Sequence, residues 1–213
     1  MQAIKTTGNQ MTPKPIILAM YSGGLDSVGM LYKLLTAPEY SEYTIHVHHI
    51  HIKNLENRTQ AEKSAVQDTL KELHSHGLRF GYSENHMESP AFSRGDGNAA
   101  IMHDWDIVRF HAGWIAHVNP EVKHIAIGRE KSQEFVPMLE KSNELVKYFT
   151  DATVIYPVLD MYKREIYDSL PVWLTDKFWS CRHPVYDNNV AMPCGTCDTC
   201  RTLAKNDLVQ PVR

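Results

Sequence analysis

Between residues 15 and 36 the chain reads "PIILAMYSGGLDSVGMLYKLLT". The first seven residues form an unbroken apolar run, the pattern of a strand covered on both faces in a parallel sheet. Two glycines, an aspartate and two serines follow. Val28, Leu31, Leu34 and Leu35 then recur at helical spacing until Pro38 ends the pattern. A buried strand, a tight glycine turn and a helix in immediate succession constrain the fold strongly, because a parallel strand must be rejoined through a crossover.

The remaining chain supplies those crossovers. "YTIHVHHIHI" (43–52) is β-branched and alternating, and "NRTQAEKSAVQDTLKELHSHG" (57–77) is an amphipathic helix with Ala61, Ala65, Leu70 and Leu73 on its apolar side and Gly77 as C-cap. A third strand is expected at 78–83 and a turn-rich loop at 83–100. A helix follows at 101–118, with Ile107, Phe110, Trp114 and Ile115 on one side. Then come a strand at 122–128, a helix within 132–150 starting near Pro137, a strand at 152–159 and a short helix at 163–171. Strand and helix alternate five times. The expected fold is α/β: a Rossmann-like, parallel five-stranded sheet flanked by helices. The expected division is a loose N-terminus at 1–14, an α/β domain at 15–174 and a cysteine-bearing segment of little regular structure at 175–213.

Composition narrows the function. A formal net charge of -3 argues against a protein that coats nucleic acid. No apolar run approaches the roughly 18 residues that span a bilayer, and the polar start lacks a signal core, so a cytoplasmic location is expected. All four cysteines lie between 181 and 200, which suggests a metal rather than disulfides.

In a parallel sheet, ligands sit at the carboxyl ends of strands, and a helix starting there points unpaired N–H groups and a positive dipole end at an anion. Gly23 and Gly24 let the backbone approach a phosphate, and Ser22 and Ser27 add hydroxyl donors. Asp26 suits Mg²⁺ or the orientation of backbone donors. An ordinary strand–helix turn is the plain alternative. "SGGLDS" is neither GxxxxGK[ST] nor GxGxxG; it resembles the SGGxDS signature of PP-loop ATP-pyrophosphatases. That resemblance implies the fold of PP-loop ATPases and adenine nucleotide alpha-hydrolases, with Tyr21, Ser22, Gly23, Gly24, Leu25, Asp26 and Ser27 around ATP. It also implies cleavage of ATP to AMP and pyrophosphate as a substrate oxygen is adenylated.

Cys181-x12-Cys194-x2-Cys197-x2-Cys200 suits a closed tetrahedral Zn²⁺ site that pins down the C-terminal segment. Free thiols, a redox pair and an iron–sulfur cluster are the alternatives. SGGxDS near one end and C…CGTCDTC near the other together resemble the 7-cyano-7-deazaguanine synthase family. "YPVLDMYKREI" is similar to that family's proline-then-lysine stretch, through Pro157 and Lys163, and "FWSCRHP" to the segment carrying its first zinc ligand. The resemblance implies a ligase with Asp26 and Lys163 catalytic, ATP, Mg²⁺ and Zn²⁺ as cofactors, and ammonia and a deazapurine carboxylate as substrates. The carboxylate would become an amide and then a nitrile, each step with one ATP. The resemblance also implies a homodimer.

The match thins where substrate would bind. Arg94 and Asn98 are separated where the family has an arginine–asparagine pair. "GREKSQEF" has Arg129 and Lys131 but no cysteine, and Arg201 stands beside Cys200. His46 and His48 share one strand face, and His49 and His51 the other. Structural, hydrogen-bonded histidines are the plain reading, and the two-sided arrangement counts against a metal site. The strand resembles that of tRNA-isoleucine lysidine synthetase. The position of His49 and His51 at its carboxyl end places one of them near ATP as an expectation. His49, Arg58, Arg94 and Arg129 are candidate substrate contacts, against a solvated helix start for Arg58. The four tryptophans read as core. A tRNA-modifying PP-loop enzyme of the lysidine or thiolation type, and a non-catalytic partner protein, are the rival readings.

Overall fold

The computed structural model describes residues 14–88, 92–93, 99–100, 104–133 and 136–213. Its strands are β1 (Ile16–Met20), β2 (Thr44–Lys53), β3 (Gly81–Glu88), β4 (Phe92–Ser93), β5 (Ala99–Ala100), β6 (Val122–Ile127), β7 (Thr153–Ile155), β8 (Val185–Asp187) and β9 (Val190–Met192). Its helices are α1 (Leu25–Thr36), α2 (Thr59–Ser75), α3 (Asp104–Val118), α4 (Val136–Lys147), α5 (Lys163–Ser169) and α6 (Asp198–Lys205). Five strands form one parallel sheet in the order β3-β2-β1-β6-β7. The fold is therefore α/β and Rossmann-like, as the alternation dictates.

The chain winds outward from β1 to β2 and β3, then returns to start the other half at β6. The strand order reverses between β1 and β6, and a crevice opens above their carboxyl ends. Alternate residues of β1 serve opposite layers. Ile17 and Ala19 pack with Leu31 of α1, Val66 of α2 and Ile166 of α5. Leu18 and Met20 pack with Ile107 and Ala116 of α3 and Val146 of α4. That double burial explains the unbroken apolar run.

Four expectations need correction. The third strand starts at Gly81, not 78, and continues to Glu88 through the stretch read as loop. Its pattern is polar because β2 offers polar partners. Ser83 Oγ lies 2.8 Å from both His46 Nε2 and His48 Nδ1, and His48 Nε2 lies 2.9 Å from Asn85 Oδ1. β3 is also an edge strand, where charge discourages further pairing. Second, α3 buries Ile107, Arg109, Ala112, Gly113 and Ala116, while Phe110 and Trp114 are 48% and 51% exposed. Small residues bring this helix close to the sheet, so its large aromatics are displaced outward. Third, only Trp179 of the four tryptophans is fully buried. Fourth, the cysteine-bearing segment has regular structure: β8 and β9 form an antiparallel hairpin, and α6 follows. Phe178, Leu203 and Leu208 join the core beneath α1 and α2.

Candidate functional site

The crevice at the strand reversal holds a cleft of about 410 Å³. Its floor is the glycine turn. Gly23 has φ +79°, a left-handed conformation that a side chain would strain, and a Cβ there would also meet Val66 Cγ2 at 3.0 Å. Gly24 N–H donates to Ser22 Oγ (3.3 Å), Ser22 Oγ pairs with Ser27 Oγ (3.2 Å), and Ser27 Oγ donates to the Gly24 carbonyl (2.9 Å). The hydroxyls thus organise the opening of α1, whose first N–H groups have no intrahelical acceptor. Tyr21 and Leu25 are buried and anchor the turn on either side. Across the reversal, Gly128 follows β6. A Cβ there would lie 2.7 Å from the backbone N and Cα of Ser27, so only glycine lets the two strand-end loops touch.

The C-terminal segment closes one wall. Trp179 N–H donates to the Gly23 carbonyl (2.7 Å), and Leu25 N–H donates to Ser180 Oγ (3.3 Å). Arg182 and Thr202 also line the cleft. This wall is not legible in the chain order, because the contact spans about 155 residues.

Charged side chains fall into three groups. Lys163, at the start of α5, is buried and grips Asp26, with Nζ 2.7 Å and 2.8 Å from the two carboxylate oxygens. Burial lifts the Asp26 pKa, and the Lys163 ammonium pulls it back. Glu130 stands near enough to lift Asp26 further; its own carboxylate accepts from Ser132 N–H (2.9 Å) and hydroxyl. The second group centres on Arg58, which is buried rather than solvated. It contacts Glu56 (2.8 Å), Glu62 (2.7 Å) and Asp104, and Arg182 joins through Glu56 (2.7 Å) and Asp104 (3.2 Å). Burial raises Glu62 to about 7 against the pull of Arg58. Arg58 lines the cleft with its guanidinium engaged by carboxylates.

Arg109 and Arg129 form the third group, and both line the cleft. Arg109 donates to the Trp105 carbonyl (3.2 Å) and the Tyr156 hydroxyl (3.2 Å); Arg129 donates to the Gln133 carbonyl (2.7 Å) and lies over the Trp105 ring at 4.4 Å. Arg94 and Asn98 lie outside the described residues.

His49 lines the cleft, and its Nδ1–H donates to the Tyr21 carbonyl (2.7 Å). Burial lowers its pKa to about 4, so the ring is neutral at pH 7. His51 turns to Glu84 (3.1 Å) and stacks on His86 at 4.2 Å and 12°. Donor atoms of His51, Glu84 and His86 lie within 4.8 Å of one another, yet stacked rings keep their nitrogen lone pairs in parallel planes, so they do not converge on one ion. Glu62, Asp104, Arg109, Glu130, Ser180 and Arg182 line the cleft without a sequence motif to mark them.

All four cysteines converge, with their sulfurs within 4.8 Å of one another and Cys181 Sγ 3.6 Å from Cys194 Sγ. The Cys194 and Cys197 N–H groups donate to Cys181 Sγ and Cys194 Sγ, each at 3.3 Å. Gly195 has φ +72°, which permits the turn. The group is a metal-binding donor set.

No family model matches this chain, and neither does any curated protein. Among solved structures, it is similar to the U34-tRNA thiolase NcsA from Methanococcus maripaludis with its [4Fe-4S] cluster. The TM-score is 0.49 at 13% identity, over 95% of this chain and 68% of that one.

Proposed function

We propose that this protein is a PP-loop-type enzyme that splits ATP to AMP and pyrophosphate, adenylating a carboxylate that a nitrogen nucleophile then attacks. The substrate pair in this reading is 7-carboxy-7-deazaguanine and ammonia, or a close chemical relative. The observation that carries it is the SGGLDS turn at the carboxyl end of central β1, opening α1 beneath a cleft of about 410 Å³.

In this reading the α1 N-terminus, Ser22 and Ser27 bind the phosphates, which develop charge as pyrophosphate leaves. Lys163 balances that charge and holds Asp26 in position. Asp26 and Glu130 offer the hard oxygen donors that Mg²⁺ prefers, and the ion would neutralise phosphate charge there. Neutral His49 fixes the Tyr21 carbonyl and so the turn. A carboxylate oxygen is a poor leaving group until AMP is attached, which is why the ATP end and the acceptor end must share one cleft.

The cysteine group supports structural zinc. A tetrahedral ion with sulfur at about 2.3 Å sets thiolates roughly 3.8 Å apart, near the Cys181–Cys194 spacing. A cubane cluster interposes its own iron and sulfide atoms and holds its four thiolates farther apart. Zinc here would fasten β8, β9 and α6 against α2, where Ala61 and Ala65 pack on the cysteines.

The test is incubation with Mg·ATP, ammonia and 7-carboxy-7-deazaguanine, read by mass spectrometry, with Asp26→Ala as control. Nitrile, AMP and pyrophosphate, all lost in the control, are the expected products. Turnover that requires tRNA instead would transfer the reading to a tRNA-modifying enzyme. No ATP cleavage under any condition would overturn the enzyme reading.

A further inference from the structure

Among the described residues, two arginines in the cleft are buried without a counter-charge. Arg109 on α3 is 2% exposed and Arg129 after β6 is 4% exposed. Among the described residues neither makes a salt bridge, whereas Arg58 and Arg182 in the same cleft share three carboxylates. Their hydrogen bonds among the described residues go to neutral oxygens: the Trp105 and Gln133 carbonyls and the Tyr156 hydroxyl. Arg109 Nε, Arg129 Nε and Arg129 Nη1 are buried with no partner among the described residues. Burying one guanidinium without an anion is unfavourable, and burying two within mutual influence is more so. Burial, and then Arg109, depresses the Arg129 pKa. A fold that keeps such a pair holds a cationic site ready for a ligand.

The geometry also fixes the pair. The Trp105 ring supports the Arg129 plane, and Tyr156 positions Arg109 while donating to Asn143 Oδ1 (2.8 Å). Gly128, pressed on the Ser27 backbone, sets Arg129 directly beside the glycine turn. Planar forks held this way suit the two oxygens of a carboxylate or phosphate.

We propose that Arg109 and Arg129 form a second oxyanion subsite, distinct from the glycine turn, that holds an anionic group of the acceptor molecule. The assignment to the acceptor rests on the glycine turn being the ATP end of the cleft. The oxyanion is a carboxylate or a phosphate of the acceptor molecule.

The test is calorimetry on the full, metal-bound protein saturated with Mg²⁺ and α,β-methylene-ATP, titrated with pyrrole-3-carboxylate, phenyl phosphate and uncharged pyrrole-3-carboxamide. Wild type is expected to bind one of the two anions and not the amide. That anion names the oxyanion. Arg109→Gln and Arg129→Gln are each expected to weaken it by about tenfold or more, the range for hydrogen bonds to charged groups. Arg109→Lys and Arg129→Lys, which keep the charge and lose the fork, should recover part of that loss and serve if a glutamine variant does not fold. Affinity for the ATP analogue should stay within about twofold of wild type, on the same scale. The proposal is overturned if neither anion binds wild type, if the variants bind anion as wild type does, or if they lose the ATP analogue equally. If the analogue fails to bind wild type while an arginine-dependent anion still does, the subsite stands and the ATP reading falls.

Discussion

Asp26 and Lys163 are 137 positions apart in sequence and in direct contact in the cleft. Each is the other's counter-charge, so removing one strands a buried ion. Lys163→Met should destabilise the protein by about 3 kcal/mol, and loss of the ammonium should move the Asp26 carboxyl further above its ordinary range. Asp26→Asn with Lys163→Met should recover much of that stability, since the pair is removed together. Urea unfolding of the single and double variants measures both effects; equal losses that simply add would show the two groups to be uncoupled. His49 gives a pH signature. Its folded pKa, about 4, lies below the ordinary 6.5, because burial disfavours the imidazolium. The unfolded chain therefore binds the proton more readily between those values. The stabilisation is complete above 6.5 and is lost as pH falls toward 4, at a slope of up to about 1.4 kcal/mol per pH unit. His49→Asn should flatten the fall in urea midpoint between pH 7 and 5. Some slope should remain, because burial also lowers His46 and His48. An unchanged slope would remove His49 from this role.

At the scale of elements, what could be read in the sequence divides by physical cause. β1, its glycine turn, α1 and α2 follow from apolar pattern and local turn chemistry, and the structure forms them within a few residues of expectation. The cysteine cluster was legible because four ligands in a short span leave few alternatives. The full extent of β3 was not, since its inward residues past the expected end include Asn85, and Ser83 and Asn85 find their partners in histidines on another strand. α3 misled because Phe110 and Trp114 mimic a buried stripe while Ala112, Gly113 and Ala116 make the contact. Arg109 was hidden in that helix: a charge at a buried position has meaning only when the opposite wall is known. The C-terminal hairpin and α6 are expected to need their metal. Chelation, or Cys194→Ser, should lower the thermal midpoint and weaken nucleotide binding together, because Trp179 and Ser180 leave this segment to hold the turn. Metal analysis should find about one zinc per chain, as four thiolates suit. Iron with visible absorbance would replace zinc by a cluster, and unchanged nucleotide affinity after stripping would uncouple the two sites.

For the molecule as a whole, the ends of β1, β2 and β6 supply the cleft's base, and residues from 179 onward supply a wall. The side-chain oxygen of Gln210 accepts from the N–H groups of Ser180 (2.8 Å) and Cys181 (3.1 Å), and Arg213 pairs backbone with Ala191 and salt-bridges Asp68 (2.7 Å). No helix among the described residues is long and apolar enough to cross a membrane. The five strands of the sheet are complete with β7, whereas the wall is built from residues that follow it. During synthesis the glycine turn is therefore made before the residues that cover it, and Gln210 holds Ser180 and Cys181 in place beside it. Competence of the cleft therefore depends on residues made after the sheet strands, and a cut between β7 and Gln210 should leave the site unfinished.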